Sequence, residues 1–197
     1  MKKILLIKQT SLGDVLHATG ALHIVKQNFP DAELHLMTSH SCAKIVENNP
    51  HVDKLILLDR QAFKKNWYKK PIWAWNLMKQ GIREIQAETY DLAIDLQGLA
   101  KTVIFLYAAN AKQKYVKGSW PKLKGFDNRS LHAVKEIEQV LKLAGLEVGQ
   151  STMELYPGAS EREAIDKLLT EINPRNLPIA VFSPYSRWQS KDWPISK

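Results

Sequence analysis

The stretch Lys3-Ile-Leu-Leu-Ile-Lys-Gln-Thr-Ser-Leu-Gly-Asp14-Val-Leu-His17 decides how the rest of the chain is read. Its run from Lys3 to Lys8 is rich in leucine and isoleucine without alternation, the pattern of a strand buried on both faces of a parallel sheet. Thr10, Ser11, Gly13 and Asp14 supply a turn, with Gly13 letting the backbone bend tightly. Val15, Leu16, Ala18, Leu22 and Val25 then continue at helical spacing. A strand that enters a helix through a short polar turn leaves the turn outside the carboxyl end of the strand, where open α/β sheets bind ligands. Asp14 has the chemistry of a helix N-cap and also that of an exposed base, and the residues alone leave both roles open. His17, three residues on and on the same helical face, is placed to orient or tune that carboxylate.

Strands and helices alternate along most of the chain. Residues 33–38 read as a strand, 39–48 as a short helix, and 54–58 as a third strand. Pro71 opens a helical pattern that ends near Glu88. A strand at 91–96, a helix at 98–109, a short strand near Tyr115 and an irregular basic loop at 118–129 follow. Ser130 is expected to cap a helix at 131–144 that Gly145 ends in a left-handed conformation. This order predicts right-handed βαβ units and a doubly wound, mostly parallel α/β sheet. The tail differs: a helix at 161–172, a proline-containing linker at 173–178, and a fresh buried strand at 179–183. The expected organisation is a Rossmann-like domain over 1–173, then a linker and the first strand of a truncated second domain over 174–197.

Composition narrows the function classes. With 197 residues, 45% of them hydrophobic, the chain can bury one good core plus an appendage. The single cysteine, Cys42, excludes an internal disulfide framework and favours a reducing cytoplasm. No Cys/His set shows metal-ligand spacing along the sequence, so no metal is expected. The apolar run before Lys8 is too short for a signal-peptide core and the run at 103–109 too short to cross a bilayer, so a soluble protein is expected. The formal charge of +8 suits phosphorylated ligands, nucleic acid or an anionic membrane surface.

Three further stretches carry chemistry. Asp91-Leu-Ala-Ile-Asp-Leu-Gln-Gly98 places Asp95, Gln97 and Gly98 at a strand end on the same rim as Asp14, although composition favours Asp95 as a cap of the next helix. Between Arg60 and Arg83, Lys64, Lys65, Lys69, Lys70 and Lys79 interleave with Phe63, Trp67, Tyr68, Trp73 and Trp75. That mixture suits a membrane interface or stacked single-stranded nucleic acid, while Trp73, Leu77 and Ile85 are expected to face the core. Near the end, Ser183-Pro-Tyr-Ser-Arg-Trp-Gln-Ser-Lys-Asp-Trp-Pro194 sets hydroxyls and cations after a strand, a seat for phosphate, though Lys191 alone reads as an exposed lysine. The first turn has no G-x-G-x-x-G and no G-x-x-x-x-G-K-[ST], which argues against a dinucleotide or nucleoside triphosphate there.

Taken together, Lys8 to His17, Asp95-Leu-Gln-Gly-Leu-Ala-Lys101, His132 to Glu136 and Ser190-Lys-Asp-Trp-Pro194 resemble the ADP-heptose:lipopolysaccharide heptosyltransferases, in the heptosyltransferase I branch. These are glycosyltransferases of the GT-B fold, and the resemblance runs over essentially the whole chain. It implies an amino-terminal, acceptor-binding Rossmann-like domain. It also implies inverting transfer of heptose from ADP-heptose to a Kdo sugar of the lipopolysaccharide inner core. By position, Asp14 would be the general base, and Ser11, Gly13, Gln97, Arg60 and Lys64 would bind the acceptor. Lys191, with Ser186, would hold the donor diphosphate. No cofactor is implied beyond the donor substrate. The implied partners are the nucleotide sugar, Kdo-lipid A and an anionic membrane surface rather than nucleic acid, at the cytoplasmic face of the inner membrane. The family's Asp-Thr-Gly-x-x-His element is absent, which implies a truncated enzyme lacking most of its donor site. The alternative from another class is a noncatalytic basic module that binds anionic lipid or nucleic acid.

Overall fold

In a computed structural model of the chain, the described residues are 1–59, 68–128, 130–150, 152–185 and 192–193. They divide into two compact units, Met1–Tyr156 and Pro157–Lys197.

The first unit is built on a six-stranded sheet in the order β3-β2-β1-β4-β5-β6, with every ladder parallel. The strands are β1 (Lys3–Ile7), β2 (Glu33–Ser39), β3 (Lys54–Leu58), β4 (Thr89–Asp95), β5 (Asn110–Lys117) and β6 (Lys124–Phe126). Between them run α1 (Leu12–Asn28), a short turn of helix α2 (Ala43–Val46), α3 (Pro71–Gln86) and α4 (Ala100–Ala108), and α5 (Ala133–Leu143) follows β6. This is the expected doubly wound α/β sheet. The reversal of strand order falls between β1 and β4, which makes the crevice beyond their carboxyl ends the natural ligand site.

Both faces of the sheet are covered, which explains the unbroken apolar strands. Ile4, Leu6, Leu34, Leu36, Leu92 and Ile94 pack on one side with Val15, Leu22 and Val25 of α1 and Ile137, Val140 and Leu141 of α5. Leu5, Ile7, Met37, Ile56, Ala93 and Val116 point the other way, against Ile85 of α3 and Val103, Phe105 and Leu106 of α4. Alternate residues of β1 thus feed opposite cores, so a one-residue slip would exchange them. Gly81 lets α3 approach closely, since a Cβ there would lie 3.0 Å from the Phe105 ring.

Several local expectations change. The first turn is shorter than expected: α1 begins at Leu12 with Ser11 as N-cap, so Asp14 is the third helical residue rather than the cap, and Gly13 lies inside the first helical turn. The loop at 118–129 contains the short edge strand β6, paired with Tyr115–Lys117, which three residues with no clear apolar alternation did not announce. Helix α5 is capped by His132, whose Nδ1 accepts from the Val134 amide at 3.3 Å. Ser130 is instead engaged with Asn128, whose Oδ1 accepts from its hydroxyl and amide. Gly145 ends α5 as expected, at φ +85°, with its amide on Lys142 O at 2.9 Å and the Leu146 amide on Leu141 O at 3.1 Å.

The second unit contains α6 (Ala159–Ile172), none of whose residues is buried. The expected buried strand at 179–183 does not form: its residues join no ladder, and Val181 and Phe182 are 88% and 85% exposed. A strand requires a paired edge and a covered face, and the described residues offer this segment neither.

Candidate active site

The rim of the sheet at the β1/β4 reversal gathers ionisable groups that are far apart in sequence. The Thr10 amide, just after β1, donates to Gln97 Oε1 at 3.2 Å, just after β4. The next amide, that of Ser11, donates to Asp14 Oδ2 at 2.8 Å, and the Ser11 hydroxyl donates to the same oxygen at 2.8 Å. Adjacent backbone amides therefore fix the two strand-end side chains singled out from sequence. Asp14 is half-buried. Among the described residues its Oδ1 accepts no hydrogen bond. Burial pushes the Asp14 carboxyl up, but the two Ser11 bonds and the charges of Lys8 and His17 outweigh it and hold the group below its ordinary value. It is an ionised carboxylate at neutral pH with one oxygen held and one available.

Asp95 is buried, and its Oδ1 accepts from the amides of Gln97 at 2.8 Å and Gly98 at 3.1 Å. It therefore shapes the loop after β4 instead of capping α4, whose N-cap is Leu99. Oδ2 has no partner among the described residues. Burial pushes this carboxyl up to about 6, against the two amides and the Lys8 charge. Lys8 is itself buried, with Nζ 3.2 Å from Leu96 O, and desolvation pulls its amine below the usual lysine range against the attraction of Asp14, Asp95 and Glu136.

A cleft of about 490 Å³ opens beside this cluster, with Gln97, Gly98, Lys117, Trp120 and Glu136 among its walls. Lys117 and the nearly buried Glu136 of α5 pair at 2.7 Å across it. Trp120 Nε1 donates to Gly98 O at 3.3 Å. Gly98 sits at φ +67°, and a Cβ there would fall 1.9 Å from Lys117 O, so only glycine permits this crossing of the β4 and β5 ends.

Of the residues expected at the site, Ser11 and Asp14 are joined by hydrogen bonds, and Gln97 is tied to the adjacent Thr10 amide. Gly13 is exposed in the first turn of α1, with open space where a side chain would stand. His17 makes no hydrogen bond to Asp14 among the described residues. Its ring lies 5.5 Å from that of His132, and it acts on Asp14 through charge. Arg60, Lys64, Ser186 and Lys191 lie outside the described residues. Sequence reasoning did not assign Lys8, Lys117 or Glu136. A signal existed for Glu136, which shares its helical face with buried Val140, but amphipathic spacing gave no reason to expect a charge on the core side.

Residues 78–197 match the model of glycosyltransferase family 9 (heptosyltransferase). The chain belongs to that family. Similar proteins include lipopolysaccharide heptosyltransferase 1 of Escherichia coli strain K12, 26% identical over 98% of this chain and 61% of the relative. The lipopolysaccharide heptosyltransferase 1 of Pseudomonas aeruginosa is 33% identical over 51% of this chain and 28% of its own. Among solved structures, a glycosyl transferase family 9 protein from Veillonella parvula superposes with a TM-score of 0.80 at 19% identity, over 99% of this chain and 57% of its own. The E. coli heptosyltransferase WaaC with ADP gives a TM-score of 0.71 at 25% identity, over 98% of this chain and 61% of its own. This family 9 chain thus spans about three-fifths of the length of the E. coli relative.

Proposed function

We propose that this family 9 chain carries the acceptor side of an inverting heptosyltransferase, with Asp14 as the general base and a Kdo sugar of lipid A as the acceptor. The observation that carries this reading is the state of Asp14: ionised, at the strand-order reversal, with Oδ2 held by Ser11 and Oδ1 available. An acceptor hydroxyl seated against Oδ1 passes its proton there as its oxygen attacks the anomeric carbon of the donor. The bond from that carbon to the diphosphate breaks, and the diphosphate leaves with the electron pair. One displacement inverts the anomeric centre, so no covalent sugar–enzyme intermediate forms. A diphosphate leaving group needs cations more than a proton, so a single carboxylate suffices where a glycosidase needs two.

ADP-heptose is the proposed donor, supported by E. coli WaaC solved with ADP and with ADP-2-deoxy-2-fluoro heptose. Ser186 and Lys191 are the proposed diphosphate-holding groups, and Arg60 and Lys64 the proposed cations for the acceptor's acidic groups. The reaction as drawn uses no cofactor. Ser11, Gly13 and Gln97 frame the acceptor sugar around Asp14.

Peripheral attachment at the cytoplasmic face of the inner membrane is part of the proposal. No helix among the described residues is long and apolar enough to span a membrane. Instead α3 exposes Ile72, Trp73 and Trp75, so Trp73, expected in the core, is on the surface, while Ile85 is buried and Leu77 partly so. Lys79 Nζ stands 5.3 Å from the Trp75 ring centroid, and Lys69 and Lys70 precede the helix. Exposed rings beside lysines suit an anionic headgroup layer.

The test has two arms. The 197-residue chain is titrated with Kdo-bearing lipid A, with lipid A lacking Kdo, and with RNA. Saturable binding that prefers the Kdo form about tenfold or more supports the acceptor role. Equal binding to all three that collapses with salt identifies a noncatalytic basic module instead. In the second arm, residues 1–156 replace the equivalent part of the E. coli relative, and transfer from ADP-heptose is measured. Asp14→Asn lowers kcat by about 10²-fold or more with acceptor binding retained.

A further inference from the structure

His23, His51 and Glu154 meet at the other end of the first unit from Asp14. Helix α1 starts at the carboxyl rim of the sheet and runs back, so His23 lies about 16 Å along it from Leu12 at 1.5 Å per residue. His51 lies three residues before the start of β3 and so stands near the amino edge, and Glu154 arrives from the segment that follows α5. His23 Nδ1 is 3.2 Å from His51 Nε2 and 2.9 Å from Glu154 Oε1, and His51 Nε2 is 3.3 Å from Glu154 Oε2.

Two arrangements satisfy this triangle. In one, both facing nitrogens carry a proton and donate in parallel to the two oxygens of the Glu154 carboxylate, and in the other both nitrogens turn lone pairs inward and share one cation with the carboxylate. The dimensions suit a cation: with metal–nitrogen bonds of about 2.0–2.1 Å the edge of a tetrahedron is about 3.3–3.4 Å, close to the 3.2 Å between the two nitrogens, and Glu154 presents one oxygen to each of them. The two imidazole rings meet edge to face, at 89°.

Glu154 and His51 are also held in place from outside. The Tyr156 hydroxyl donates to Glu154 Oε2 at 3.0 Å, the Glu154 amide donates to Thr19 Oγ1 at 2.8 Å, and the His51 amide donates to Asn49 Oδ1 at 2.9 Å. Such outer hydrogen bonds orient ligands toward a metal. All three side chains are partly exposed, which leaves an entry path and a fourth position for water.

We propose that His23, His51 and Glu154 bind one divalent ion of the zinc class, clasping α1, the lead into β3 and the segment after α5. This departs from the expectation that the chain takes no metal, and it stands apart from the transfer chemistry. The ion closes a loop between groups 131 residues apart in sequence, His23 and Glu154, and so stabilises the folded unit.

The metal-free 197-residue chain is titrated with Zn²⁺ by calorimetry and with Co²⁺ by visible absorption. One equivalent of tight uptake, the intense visible bands of tetrahedral Co²⁺ and a Tm rise of about 5–10 °C at 100-fold excess over Kd are expected. His23→Gln, His51→Gln and Glu154→Gln each weaken uptake about tenfold or more, while His40→Gln, on the exposed turn after β2, leaves it unchanged. Far-UV circular dichroism identifies any variant that does not fold. If a histidine variant fails to fold, Glu154→Gln decides, because its carbonyl retains the Tyr156 bond. Absence of stoichiometric uptake overturns the assignment, and so does uptake that survives Glu154→Gln and is lost on replacing His17 or His132.

Discussion

The Thr10 amide and the Gln97 side chain are joined at 3.2 Å, which ties the loop leaving β1 to the loop leaving β4 where the strand order reverses. Gln97→Ala cuts that tie. The bond is only partly buried, so the cost in stability is about 0.5–1.5 kcal/mol, read from the denaturant midpoint. If the chain takes the proposed acceptor, its affinity for Kdo-lipid A falls by a comparable amount, about tenfold, because the turn carrying Ser11 and Asp14 loses its anchor. Adsorption to anionic vesicles lacking Kdo stays unchanged.

The two Ser11 bonds lower the Asp14 carboxyl against its burial, and Ser11→Ala removes the hydroxyl donation while leaving the amide in place. The Asp14 carboxyl then titrates at higher pH than in the parent chain, which carbon-detected NMR of the carboxyl resonance follows. The depressed group contributes stability that is present above its unfolded-state value and is lost as pH falls through its folded-state value. The substitution costs about 1 kcal/mol at neutral pH and less in acid. An unchanged Asp14 titration would show that Lys8 and His17 set its ionisation.

Asp95 has the opposite sign. Its folded-state value of about 6 lies above the usual 3.8 because burial disfavours the charge. Between those values the folded chain holds a proton that the unfolded chain has released, so stability falls as pH rises through the window and levels off above it. At about 1.4 kcal/mol per unit, the change across the window is roughly 3 kcal/mol. Asp95→Asn abolishes this slope, which stability curves at several pH values between acid and neutral reveal. A slope unchanged in the variant would assign the titration to another group.

Gly98→Ala forces a Cβ to within 1.9 Å of Lys117 O at a backbone φ of +67°. The left-handed penalty and the displaced backbone together cost about 2–5 kcal/mol. Thermal unfolding of the variant reports the loss, and the cleft between the ends of β4 and β5 opens with it. A Tm close to that of the parent chain would mean that the crossing relaxes at little cost.

Much of the first unit was legible in the chain itself. Buried apolar strands alternating with capped helices leave few arrangements other than a doubly wound parallel sheet, and a polar turn after such a strand lies on the ligand-binding rim. Ser11, Asp14 and Gln97 follow from that rule. The cap itself, Ser11, does not follow from it: serine and aspartate both cap well, and the choice depends on where the backbone first turns helical. The expected strand at 179–183 failed for a related reason: β propensity marks a segment able to pair and says nothing about whether a neighbour exists.

The sequence by itself determined the sheet, its strand-end turns and the residues those turns deliver, because each is written in spacing over fewer than twenty neighbouring positions. Tertiary structure alone decided which charges are buried and what they face. Lys8, Asp95, Lys117 and Glu136 became one cluster, and His23, His51 and Glu154 became another, only when distant segments packed. The reason is that burial and Coulomb energies depend on distances in space, and no periodicity along the chain encodes a contact between residues more than a hundred positions apart.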